Sequence, residues 1–315
     1  MVGAINNQPH VRQTMHKMCS QITVGGATFG GYPRSGSLIE TDWLEANIDN
    51  PTLRIFDCSA YFHAEPGTGI SNWQNGHIPG SAYVDLLEDL SDPDSDLPLM
   101  MPTPERFSQV MGGLGLGRGT TAVLYDDTDN ICAARLWWML HANGFNDALV
   151  LNGGWRKWSM EHRRGTREQP VWCKAEFPLQ PAPTVFVDKQ AVLKNLQTNR
   201  ALLIDALAPE IFDGSLQRYA RPGHIPGSIN VPAKALVDSK TMAFLPAVAL
   251  RKIFSEAGLS VFRPTISYCG GGLAACSVAF ALHLLGADNI TVYDASLFEW
   301  AADPTLPLET GKVEG

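Results

Sequence analysis

The sequence predicts an α/β protein built from two tandem domains, each a mainly parallel sheet flanked by helices. Three observations carry that expectation. The chain has 315 residues, more than one hydrophobic core ordinarily supports, so two domains of roughly 100 to 150 residues are expected. The hexapeptide Gly76-His77-Ile78-Pro79-Gly80-Ser81 returns 147 residues on as Gly223-His224-Ile225-Pro226-Gly227-Ser228. Around each copy the same landmarks follow in the same order, with spacings that drift by only a few residues, as in a duplicated domain.

Those landmarks are an aspartate closing an apolar strand (Asp57, Asp205), the hexapeptide, a strand ending in Tyr125-Asp126 or Tyr268-Cys269, and a short helical turn ending at Trp158 or Trp300. Strand-like runs such as Leu53 to Phe56 and Leu202 to Ile204 alternate with helix-like segments, Pro104 to Met111 and Pro246 to Ala257. Gly112-Gly113 and Gly258 read as stop signals, because glycine takes the left-handed C-terminal conformation without penalty. Alternation of this kind predicts parallel sheets. The expected organisation is a flexible leader over 1–37, a first domain over 38–160, a linker over 161–183 and a second domain over 184–310. The linker is rich in proline and charge, yet its Trp172 and Phe177 predict that parts of it pack.

Composition bounds the partners. With 45% hydrophobic and 18% charged residues the chain reads as globular, and its formal net charge of −8 disfavours nucleic acid. No apolar run resembles a signal peptide or a membrane span, so the expected location is the cytoplasm and no membrane partner is expected. Six cysteines without a Cys-x-x-Cys pair predict reduced thiols. Eight scattered histidines lack zinc-ligand spacing, so no metal is expected.

Chemistry concentrates where Thr265-Ile266-Ser267-Tyr268 runs into Cys269-Gly270-Gly271-Gly272-Leu273-Ala274 and a near-continuous apolar segment to Gly286. A cysteine at a strand end, before a glycine-rich turn and a helix N-terminus, can be surrounded by amide N–H groups that stabilise a sulfur anion and lower the thiol pKa. Three glycines let that backbone close around one atom. The plainer alternative is a small buried residue beside a tight turn. The first half carries Asp126 at the matching place and so lacks the nucleophile. An arginine six residues after the cysteine would suit phosphate chemistry, but position 275 is alanine.

Duplicated His-Ile-Pro-Gly halves, with an aspartate in one copy and a cysteine loop in the other, resemble the tandem-domain rhodaneses over about residues 38 to 308. Arg135-Leu136-Trp137-Trp138-Met139, Leu151-Asn152-Gly153-Gly154-Trp155 and Cys276 further resemble the 3-mercaptopyruvate sulfurtransferases among them. The resemblance implies two rhodanese-like domains and a sulfurtransferase in which Cys269 carries sulfur as a persulfide, with no cofactor. It also implies a small sulfur donor and an acceptor such as thioredoxin, a low-molecular-weight thiol or cyanide. Thiosulfate-type members place cations after the cysteine; this loop has none, which favours 3-mercaptopyruvate. Mercaptopyruvate-type members carry a serine and a threonine where Gly271 and Ala274 stand, and a histidine relay to that serine would leave His77, although His77 and His224 more often serve such repeated turns structurally, by hydrogen-bonding the loop. Of the two implied substrate arginines, one aligns with Ile211, and Arg218 or Arg221 supplies the other. The rival reading is a noncatalytic persulfide carrier or a regulatory binding module. Asp294, Glu299, Cys276 and the Trp137-Trp138 pair are expected to be structural.

Overall fold

A computed structural model describes residues 29–62, 64–180 and 185–311. The two halves repeat one succession of elements. In the first, β1 (Leu38–Ile39), α1 (Thr41–Asn47), β2 (Leu53–Asp57), α2 (Thr68–Asn75) and β3 (Ser81–Tyr83) lead to α3 (Pro104–Gly113), β4 (Thr121–Tyr125), α4 (Ile131–Ala142), β5 (Ala148–Leu151) and α5 (Gly154–Met160). The second begins with β6 (Phe186–Val187), α6 (Lys189–Thr198), β7 (Leu202–Asp205), α7 (Pro209–Phe212) and β8 (Ile229–Asn230). It continues through α8 (Ala247–Glu256), β9 (Thr265–Tyr268), α9 (Leu273–Leu284), β10 (Ile290–Tyr293) and α10 (Ser296–Trp300). The strand orders, β1-β5-β4-β2-β3 and β6-β10-β9-β7-β8, are the same, and every named pair is parallel. Continuous apolar runs suit such strands because helices cover both faces of each sheet. The central β9 is buried along its whole length.

The repeated hexapeptide has a structural task. Tyr125, the last residue of β4, places its hydroxyl 2.8 Å from Ser81 Oγ and accepts from the Ile78 amide at 3.4 Å. Tyr268 on β9 repeats this, accepting from the Ile225 amide and donating to Ser228 Oγ, both at 3.0 Å. Each hexapeptide histidine pairs its backbone with the segment that closes its half, His77 with Thr166 at the start of the linker and His224 with Glu309. The motif thus ties the central strand and the closing segment together in each half.

Helices α4 and α9 carry apolar residues all round and are buried all round, as a helix between domains must be. They pack on each other: Trp138 Nε1 donates to the Cys276 carbonyl at 3.1 Å, and Trp137 meets Phe280 edge-on at 5.1 Å. Large side chains buried there contribute about 1.5–3 kcal/mol each, and one apolar cluster runs through both domains. Trp137, Trp138 and Cys276 are the interface and core residues that the sequence predicts.

Two boundaries differ from expectation, and a third feature agrees with it. Residues 29–37 belong to the folded body, because Tyr32 is buried and donates to the Leu245 carbonyl while Ser37 meets His283 of α9; the rest of the expected leader, 1–28, lies outside the described residues. Helix α3 continues through Gly112 and Gly113. Gly112 is glycine because the linker crosses it: an added Cβ would meet the Ala175 carbonyl at 2.6 Å, and the turn comes at Gly115, with φ +81°. The linker packs at the two aromatics where the sequence predicts it, with Phe177 buried between Phe107 and Phe145 and Trp172 beneath the Arg54 guanidinium. Among the described residues, no helix is long and apolar enough to cross a membrane.

Candidate active site

Cys269 follows the central strand of its sheet, at the carboxyl edge where open α/β sheets place their sites. The loop behind it is pinned to α10. The Cys269 amide donates to Ser296 Oγ at 3.1 Å, and the carbonyls of Cys269 and Gly270 accept from Leu297 and Phe298 at 3.1 and 2.8 Å. Gly272, with φ +84°, turns the chain into α9. The amides of Ala275, Gly271 and Gly272 consequently aim at the sulfur. Only 3% of Cys269 is exposed. Burial therefore outweighs the amides and pushes the thiol above its usual range, with Asp205 adding to the push. The sequence expectation of a lowered pKa is corrected on this point: the donors are in place, but no cation joins them and water is largely excluded.

The first domain shows what such a loop does with a permanent anion. Asp126 Oδ1 accepts from the Thr128 and Asn130 amides at 3.0 and 3.1 Å and from the Thr128 hydroxyl at 3.0 Å. Its Oδ2 accepts from the Cys132 and Ala133 amides, both at 2.9 Å. Even so, burial raises its pKa to about 6.

The space over Cys269 is walled by apolar and aromatic groups. A Cβ added to Gly270 would overlap the Tyr219 hydroxyl, and one added to Gly271 would lie 2.8 Å from the Phe298 ring and 3.7 Å from Leu99 Cδ1. Phe298 meets Tyr219 edge-on at 5.5 Å and stacks on Phe62 at 5.8 Å. Leu99 and Phe62 come from the first domain, so the wall is shared. Leu99 takes a left-handed conformation, φ 64°, which a branched side chain adopts only when its surroundings impose it. Arg135, on α4 and 1% exposed, imposes it by donating to the Leu99 carbonyl at 2.6 Å and to Asp294 Oδ1 at 2.5 Å. The other Asp294 oxygen accepts from the Met101 amide at 2.9 Å. Arg135 also lies beside Gly272, whose added Cβ would come within 2.9 Å of Nη1.

Gly270, Gly271 and Gly272 are buried under this wall, and Leu273 and Ala274, half-buried, open α9. The other residues singled out from the sequence part company. His77 is fully buried, stacked on Trp73 at 4.1 Å, with Nδ1 2.7 Å from the Trp73 carbonyl and Nε2 3.1 Å from that of Glu168. Arg221 donates to the carbonyls of Trp300, Ala301, Asp303 and Leu306. Both are held by main-chain oxygens as structural anchors, which corrects the expected placement of Arg221 on the substrate and, for His77, favours the structural alternative over substrate binding. Arg218 is exposed, next in the chain to Tyr219, and its charge opposes the rise in the Tyr219 pKa.

Sequence reasoning missed Tyr219, Phe298, Leu99 and the Arg135 to Asp294 clamp. Only Tyr219 left a signal, standing between the two arginines already under consideration. Among the described residues, no group of three His, Cys, Asp or Glu side chains could hold a metal.

Comparison with known proteins agrees with this geometry. A family model described as the rhodanese-like domain matches residues 40–161 and again 188–303. The 3-mercaptopyruvate sulfurtransferase of Escherichia coli K12 is 35% identical, over 87% of this chain and 98% of its own. A mitochondrial thiosulfate/3-mercaptopyruvate sulfurtransferase of Arabidopsis thaliana is 32% identical over 91% of this chain and 82% of its own. The crystal structure of SseA from Escherichia coli superposes with a TM-score of 0.75 at 32% identity, covering 82% of this chain and 98% of that one.

Proposed function

The chain belongs to the tandem-domain rhodanese family and is a sulfurtransferase, and on that premise we propose that Cys269 carries the sulfur as a persulfide, loaded from 3-mercaptopyruvate in preference to thiosulfate. The Cys269 thiolate attacks the donor's sulfur, the carbon–sulfur bond breaks, and the loop amides steady the negative charge as the carbon fragment leaves. A thiol, thioredoxin or cyanide then takes the outer sulfur and restores the thiolate, giving ping-pong kinetics. The reading needs no cofactor, because sulfur is itself the carried group.

The observation that carries the donor preference is the character of the loop and its cover. Residues 270–274 offer amides and no cation, and Tyr219, Phe298 and Leu99 lie over them. A thiosulfate dianion entering this space would shed much of its hydration without a balancing charge. 3-Mercaptopyruvate brings its reacting sulfur on a neutral carbon and leaves its single carboxylate at the mouth, where Arg218 supplies the guanidinium.

The experiment is intact-mass analysis after exposure to each donor, with pyruvate and thiocyanate followed separately. One added sulfur is expected on the wild-type protein and none on Cys269→Ser, with mercaptopyruvate giving the higher kcat/KM. Labelling that survives in Cys269→Ser sinks the carrier assignment. A higher kcat/KM with thiosulfate sinks the donor preference.

A further inference from the structure

The loop after Cys269 has no hydroxyl at position 271, and its surroundings leave no room for one, since the Phe298 ring lies 2.8 Å from where a Cβ would stand. A hydroxyl nevertheless reaches the loop from elsewhere. Tyr219, on the segment joining α7 to β8, brings its Oη closer to the Gly270 position than any other neighbour, with Cζ and Cε1 following at 2.7 and 3.0 Å from an added Cβ. The ring is held edge-on against Phe298, and only part of it is exposed.

We infer that Tyr219 is the proton donor of the first half-reaction, giving its hydroxyl proton to the carbon fragment that departs from the sulfur at Cys269. This rests on the mercaptopyruvate reading. The Cys269 thiolate forms a bond to the donor sulfur, the carbon–sulfur bond breaks, and its electron pair leaves on the carbon fragment as the pyruvate enolate. The Tyr219 proton completes the methyl group of pyruvate. The proton on the outer persulfide sulfur then returns to the phenolate, leaving an anionic persulfide among the amides of Gly271, Gly272 and Ala275. No oxidant or reductant enters.

The charged and titratable groups facing the phenol are Cys269, Arg218 and Asp205. Burial and the neighbouring Cys269 hold the phenol pKa above its ordinary range, so Tyr219 remains protonated wherever the enzyme works. An uncharged donor suits an enolate, which needs a proton, and is idle toward a leaving group such as a sulfinate, which needs none.

Tyr219→Phe, which keeps the ring and removes the hydroxyl, separates the roles. With 3-mercaptopyruvate, kcat for pyruvate release is expected to fall roughly 30- to 100-fold while KM changes less than about twofold. Persulfide formation from benzenethiosulfonate, whose sulfinate leaves unprotonated, is expected to change less than about twofold. A thermal melt matched to wild type establishes that the variant is folded. Unchanged pyruvate release, or equal losses with both donors, overturns the inference: the first leaves the hydroxyl idle, the second makes Tyr219 wall alone. If the wild type loads from benzenethiosulfonate yet releases no pyruvate, the donor reading fails and the inference falls with it. Tyr219→Leu gives a second check, since loss of the ring is expected to slow both donors and loss of the hydroxyl only one.

Discussion

The loops that follow β4 and β9 are one backbone device holding two different anions. Around Asp126 the device is complete, with four amides and a hydroxyl on one fixed carboxylate. Around Cys269 three amides face a sulfur that, on the proposed mechanism, changes its charge and its partners in every cycle. The difference teaches that an amide cradle alone does not make a site. A carboxylate that satisfies the loop permanently turns it into structure, whereas a thiol that burial holds above its usual pKa leaves the loop's capacity available for an anion that comes and goes.

Exchange of residues between the loops is the most severe test. Cys269→Ser is expected to lose at least about 10³-fold in turnover, since the nucleophile is removed. Asp126→Cys placed in that background is expected to restore nothing, because Asp127 and Asp129 flank the position and oppose a thiolate. Measurable pyruvate release from that double variant would break the comparison.

A second test separates the loop from its clamp. Arg135→Met leaves Asp294 buried without its ion pair, which is expected to cost about 3–5 kcal/mol in denaturant unfolding. The same change releases the Leu99 turn, so activity should fall even where the protein stays folded. A variant that is stable and fully active would mean that the clamp does not position the wall.

A smaller effect is expected from Asp126→Asn, which turns two satisfied amides toward a side-chain NH2. A loss of about 1–3 kcal/mol in stability is expected, with KM unchanged; a change in KM would show that the first loop takes part in binding. Smallest is the response to pH. Because burial raises the Cys269 pKa and the thiolate is the reactive form, persulfide formation should climb with pH and level off only above the ordinary thiol value of about 8.5. A rate already flat from pH 6 would mean that the amides prevail over burial after all.

The duplicated fold was legible because hexapeptide and tyrosine recur together, and their hydrogen bonds show why they must: Ile78 and Ser81 hold Tyr125, as Ile225 and Ser228 hold Tyr268. Cys269 was legible because its glycines and helix follow it directly. What covers the cysteine was not, since Leu99, Tyr219 and Phe298 lie far apart in sequence and meet only through tertiary packing. Arg135 sits in a stretch that reads as apolar helix, and nothing local tells that its guanidinium crosses to Asp294. Arg221 and His77 misled for the same reason, because a polar side chain held by distant carbonyls has the same one-letter neighbours as one left to bind a ligand.

The joined interior at Trp138 and Cys276 carries a consequence for descent. Two copies of a domain that merely touch can drift apart, and the one without the loop cysteine can be discarded. With α4 and α9 each other's interior, loss of either would leave a largely apolar helix face in water, so solubility alone argues for keeping the copy that lacks the loop cysteine. That copy keeps Phe62, Leu99 and Arg135 at the wall over its twin's cysteine loop.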